Sequence, residues 1–212
     1  MKKIILGTTI TVISIGIALS VGYLATSRCN ANASPLLQQS SKHQDMVKSL
    51  SSLTSSPLRA STQMRLKASP EDVFEYLSSE ESLPLWMPGL ESVTYNHSDS
   101  VLVGILGEGS QRKMIFGGQK ETETIVKFEQ PNVIAYKIIE GVPLKNHLAT
   151  MTVEGDAEES VLTWNQYFDL QRTSVYGWLM PFMVRRFLDD AQANLTDKFG
   201  GKSIATCKRA FF

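Results

Sequence analysis

Hydrophobic and polar positions follow three regimes along this chain. Ile4 to Ala25 carries no charge and is flanked by Lys2, Lys3 and Arg28. Residues 34–60 hold eight serines and few large apolar side chains. From Ser61 the pattern becomes periodic. Thr62, Met64, Leu66 and Ala68 alternate with Gln63, Arg65 and Lys67, which predicts a strand with one apolar face. Ser69-Pro70-Glu71-Asp72 then supplies an N-cap, a first-turn proline and acids for the orphan amides of a helix start. Val73, Phe74 and Leu77 form its buried face, and a second helical turn fits Glu80 to Trp86, closed by Pro88-Gly89. After Gly89 the period is two. Strands are expected at Leu90–Tyr95, Ser110–Phe116, Thr122–Phe128, Val133–Glu140, His147–Val153 and Val161–Leu170, with Gly117-Gly118 as a hairpin turn. Leu102–Leu106 reads either as a short strand or as an apolar loop. A helix from about Ser174 to Phe199 carries the stripe Val184, Leu188, Ala191, Leu195, Phe199. Pro181 is expected to kink it or delay its regular start.

This order (strand, two short helices, antiparallel strands, one long terminal helix) predicts an α+β fold. A curved antiparallel sheet wrapped around the C-terminal helix buries the pattern most economically. The expected organisation is a membrane-directed segment over 1–33, a polar linker over 34–60, the folded domain over 61–201 and a tail over 202–212. The linker reads as a tether, with transient helix around Asp45 to Leu53.

The apolar run at the N-terminus spans 22 residues, nearer the ~20 of a membrane-spanning helix than the ~7–15 of a cleaved signal. Its threonines, serines and glycines dilute it, however, and Ala31-Asn32-Ala33 before Ser34 suits signal peptidase. Anchor and cleaved signal both remain open. In either case the leading lysines stay cytoplasmic. The domain is then expected on the outer side of the cytoplasmic membrane, or secreted or periplasmic after cleavage near Ala33.

Charge narrows the partners. Of 212 residues, 21 are Lys or Arg and 21 are Asp or Glu, a balance that argues against nucleic acid. Cys29 and Cys207 lie at opposite ends and form neither a disulfide framework nor a metal signature. With three histidines and no HExxH or CxxC, no metal and no cofactor are expected. Oligomeric state is not legible from the sequence.

Five local motifs occur in order along residues 61–200. They are Ala68-Ser69-Pro70-Glu71-Asp72-Val73-Phe74, Trp86-Met87-Pro88-Gly89-Leu90, Gly107-Glu108-Gly109-Ser110-Gln111-Arg112, Glu129-Gln130-Pro131 and Leu162-Thr163-Trp164. Together they resemble the START-like, helix-grip superfamily, in particular its polyketide cyclase/dehydrase and lipid-transport branch. The resemblance implies a cavity between sheet and C-terminal helix for a hydrophobic or lipid-like molecule. It does not imply catalysis, since a fold does not dictate chemistry.

Alternation selects the side chains expected to meet such a ligand: Arg112, Tyr136, His147, Trp164, Gln166 and, from the aromatic cluster opening the last helix, Trp178. Ala149 is expected on the inner face and Ala135 on the outer one. His147, Tyr136 and Glu140 are the candidates for acid–base work, which would make the protein a cyclase- or dehydratase-type enzyme. His147, Tyr136 and Arg112 also have plain structural readings. His147 can be a rim residue bonded to backbone, Tyr136 a core residue, and Arg112 the neutraliser of Glu108 or Glu140. No partner at fixed spacing orients His147, so a binding domain is the leading expectation. The rivals are that enzyme and a scaffold whose cavity is filled by its own side chains.

Overall fold

A computed structural model describes residues 46, 48–50, 52–170 and 175–207, with backbone only at 175, 176, 178 and 205–207. The expected membrane-directed segment 1–33 lies outside the described residues. Among those described, no helix is long and apolar enough to cross a membrane.

Eight strands form one antiparallel sheet: β1 (Leu58–Leu66), β2 (Leu90–Asn96), β3 (Gln111–Phe116), β4 (Gln119–Glu129), β5 (Val133–Glu140), β6 (Lys145–Gly155), β7 (Ser160–Asp169) and β8 (Gly201–Cys207). Their spatial order is β2-β3-β4-β5-β6-β7-β1-β8. Two short helices, α1 (Pro70–Ser78) and α2 (Leu83–Trp86), follow β1, and the long α3 (Val175–Phe199) follows β7. At the start of α1 the Ser69 hydroxyl accepts from the Asp72 amide at 3.2 Å, so the cap signal acts as its chemistry dictates. The two-residue turn at Gly117-Gly118 sets Phe116 opposite Gln119. Both glycines have positive φ, as a primed hairpin turn requires.

The main core lies between the inner sheet face and the helices. Met64, Leu66 and Leu162 from the sheet meet Val73, Phe74 and Leu77 of α1 and Leu188, Ala191 and Leu195 of α3. The alternation of β7, buried at every even position from Ser160 to Phe168, is what this one-sided burial demands.

The structure departs from the expected boundaries at both ends. Before Ser61, β1 is already paired at Leu58. Upstream of it, Met46, Leu50 and Leu53 pack on the outer sheet face against Val133, Ala135 and Leu148. This stretch of the linker therefore has something to bury. Ala135 does face outward, yet it is wholly covered. After α3 the expected tail, as far as Cys207, forms β8, antiparallel to β1 with Cys207 opposite Ser61. Gly201 permits that return, because a Cβ there would sit 2.0 Å from the Arg65 carbonyl oxygen. The region around Leu102–Leu106 is a loop with Val101, Leu102, Val103 and Ile105 exposed. Pro181 lies inside α3, which is assigned as helix from Val175.

Candidate functional site

Between the sheet and the N-terminal half of α3 lies a cavity of about 270 Å³. Met180, Met183, Val184 and Phe187 of α3 form one wall, with Phe116, Ile138, Val142 and Leu144 opposite. Its polar side comes from three neighbouring strands and β7: Glu121 and Glu123 on β4, Tyr136 on β5, His147 on β6 and Gln166 on β7.

The polar groups form two connected sets. In the first, His147 Nδ1 accepts from the Ile138 amide at 3.1 Å. The ring proton therefore sits on Nε2, which donates to Gln166 Oε1 at 2.8 Å. Burial holds the His147 pKa down to about 4, with the Gln166 bond opposing, so the ring is neutral at pH 7. Gln166 in turn bonds the Tyr136 hydroxyl, whose pKa is raised chiefly by burial.

The second set is an arginine and two carboxyls. Arg112 Nε and Nη2 lie 2.7 and 2.6 Å from Glu123 Oε2, and both residues are buried. The Arg112 guanidinium also lies over the Tyr136 ring, 4.5 Å from its centroid, a cation–π distance. Burial pushes the Glu123 carboxyl up while Arg112 pulls it down. Glu121 is bonded to Glu123 and has less help from Arg112. Burial first, and then the Glu123 charge, push it up to about 8. Both carboxyls are thus pushed toward protonation, and at neutral pH the pair holds a shared proton, as like charges in a low-dielectric site require.

Several expected site residues stand elsewhere. Arg112 is inward but does not reach the cavity wall; it sits behind Glu123, which it neutralises in place of Glu108 or Glu140. Glu108 lies 3.5 Å from Lys127 instead. Trp164 is fully buried and packs edge-on against Trp86 and Phe187, with centroids 5.6 and 5.8 Å apart, so it belongs to the core beyond the cavity. Glu140, expected inward, is exposed and paired with Thr122. The cause is a bulge: Glu123 faces Ile138 whereas Thr122 faces Glu140, so Ile139 is an extra residue that reverses the alternation. His147 is bonded to backbone, as its plain reading has it, but lines the cavity instead of standing on an exposed rim. The side chain of Trp178 lies outside the described residues.

Glu121 and Glu123 escaped the sequence reading because Gln119 to Thr124 is entirely polar and looks solvated. The signal was available in the hairpin. A two-residue turn at Gly117-Gly118 fixes Arg112 opposite Glu123, and an inward arginine needs an acid.

Comparison with known proteins agrees with this architecture. Residues 57–200 match the family model described as polyketide cyclase/dehydrase and lipid transport, and the chain belongs to that family. No curated protein matches the sequence. Among solved structures, the protein XoxI from Bacillus cereus superposes with a TM-score of 0.54 at 22% identity, covering 66% of this chain and 93% of that one. A putative uncharacterized protein from Bacillus thuringiensis gives 0.52 at 24% identity, covering 66% and 96%. Ara h 8.0201 gives 0.51 at 13% identity, covering 67% and 97%. These likenesses establish the helix-grip fold.

Proposed function

We propose that the domain binds a predominantly apolar small molecule that carries no negative charge. The observation behind this reading is the composition of the cavity wall. Methionine, valine, leucine and phenylalanine supply most of it, and the polar side offers carboxyls with their one arginine withdrawn behind Glu123. At about 270 Å³ the space approaches the ~300–1,000 Å³ of ordinary ligand pockets, which disfavours the filled-scaffold rival. Family membership supports the same reading.

The enzyme rival has lost most of its expected machinery. Glu140 faces away, the Tyr136 hydroxyl is shifted toward retaining its proton, and both nitrogens of His147 are engaged. Its remaining support is Glu121.

Native mass spectrometry of the full chain tests the binding reading. Wild type should carry a noncovalent small molecule that is absent from Val184→Trp, in which an indole occupies the cavity. Identical spectra from the two proteins, or wild type without bound mass, would refute it.

For location we propose the outer side of the cytoplasmic membrane, because the uncharged 22-residue run Ile4 to Ala25 lies between Lys2-Lys3 and Arg28. Alkaline phosphatase fused after residue 60 should be active in a bacterial host. An inactive fusion, with a cytoplasmic reporter active at the same site, would reverse the orientation.

A further inference from the structure

We infer that the ligand carries a basic nitrogen, seated against the Glu121 carboxyl where it lines the cavity beside Glu123. The inference rests on the binding reading above and specifies the polar end of the ligand.

The polar and charged groups on or behind the cavity wall are engaged as follows. On β2, Tyr95 donates its hydroxyl to the Ser78 carbonyl at 2.8 Å. On β3, the Arg112 charge is taken up by Glu123. On β5, β6 and β7, Tyr136, His147 and Gln166 bond one another and the Ile138 amide. From α3, the lining side chains are Met180, Met183, Val184 and Phe187, all uncharged. Glu121, bonded to Glu123, is the wall carboxyl that Arg112 does not pair. It lines the cavity beside Glu123.

Charge balance then decides between ligand classes. Arg112 and Glu123 cancel, and a protonated Glu121 leaves the site neutral. A carboxylate or phosphate ligand would bring an unpaired anion toward Glu123, with no cation among the described wall residues to meet it. An alcohol or ketone would gain a hydrogen bond. An ammonium would pair with an ionised Glu121, leaving four charges that sum to zero in a low-dielectric space, where an unpaired charge is the costly case. The proton balance is explicit: the amine arrives as ammonium, the Glu121 O–H proton leaves to solvent, and an N–H···O bond takes its place.

Compact cage hydrocarbons differing only in their polar group make suitable probes. The full chain in zwitterionic lipid nanodiscs would be titrated calorimetrically with 1-adamantanamine, 1-adamantanol and 1-adamantanecarboxylate, with empty nanodiscs as blank. The amine should bind tightest and the carboxylate weakest. One released proton should raise amine affinity about tenfold per pH unit until Glu121 ionises unaided near pH 8, where it levels off. Glu121→Gln mimics the protonated acid, so it should keep alcohol binding, serve as its own folding control, and drop the amine below the alcohol without the pH slope. If the alcohol binds and the amine binds no better, the nitrogen is wrong and the apolar-ligand reading stands. If no cage binds, both fall. Retained amine preference in Glu121→Gln, or its loss together with alcohol binding, would also overturn the assignment.

Discussion

The space under α3 has two ends built on the same scaffold, one filled and one open. At the C-terminal half of the helix, Leu188, Ala191 and Leu195 are buried against the sheet, and Trp164 and Trp86 pack edge-on beside them. At the N-terminal half, Met180 and Val184 face the cavity while Leu179 and Phe182 are exposed. Phe187 marks the border, touching Trp164 on one side and Phe116 on the other. The difference lies in what the sheet presents. Opposite the filled end it offers aliphatics and the Trp164 indole, which pack closely against the helices. Opposite the open end it offers carboxyls, an imidazole and an amide, whose hydrogen bonds apolar side chains cannot satisfy. A polar patch on the inner face thus favours keeping the space open.

Three measurements would break or sharpen this contrast. The largest effect belongs to the filled end. Trp164→Ala should cost about 3–5 kcal/mol, the range for a large aromatic removed from a core. Chemical denaturation reads this directly, and a loss under ~1 kcal/mol would mean that Trp164 is not packed as described.

Next comes the pH dependence of the polar side. His147 has its pKa lowered from 6.5 to about 4 in the folded state. Between these values the unfolded chain binds the extra proton, so this contribution to stability is complete above pH 6.5 and is lost as pH falls toward 4. The shift amounts to about 3 kcal/mol. Subtracting the stability curve of His147→Gln from that of wild type should isolate it. Parallel curves between pH 4 and 6.5 would show that the ring is not buried in its neutral form.

The smallest effect belongs to the open end. Val184→Trp adds bulk where there is room, and should change stability by less than ~1.5 kcal/mol while expelling the ligand. A penalty comparable to Trp164→Ala would make the two ends equivalent.

Much of this architecture was legible in the sequence, for a physical reason. Strands with one dry face must alternate, and a helix docked on a sheet must carry a stripe, so β7 and α3 announced themselves. Alternation also turned Tyr136, His147 and Gln166 toward the cavity. It failed where the period itself breaks. Ile139 bulges and turns Glu140 outward, a local event with no signature in the residues Ile138-Ile139-Glu140. It also separates inward from cavity-lining poorly. Ala149 is inward, yet it is buried in the main core and is not on the cavity wall. Trp164 fills its neighbourhood in place of leaving it open. Such distinctions depend on how far each opposing side chain reaches across the gap, which no single strand encodes. Strand β8 was hidden by Gly200-Gly201, whose helix-stopping role masked the return of the chain.

That return has a mechanical consequence. Strand β1, the first strand among the described residues, lies between β7 and β8 in the sheet. Tension transmitted through the polypeptide ahead of Leu58 would therefore load β1 along its length, with hydrogen bonds on both edges carrying the force in shear. Strands loaded this way resist until many bonds fail together, whereas a strand peeled from an edge gives way one bond at a time. The domain is thus braced at the point where the linker joins it.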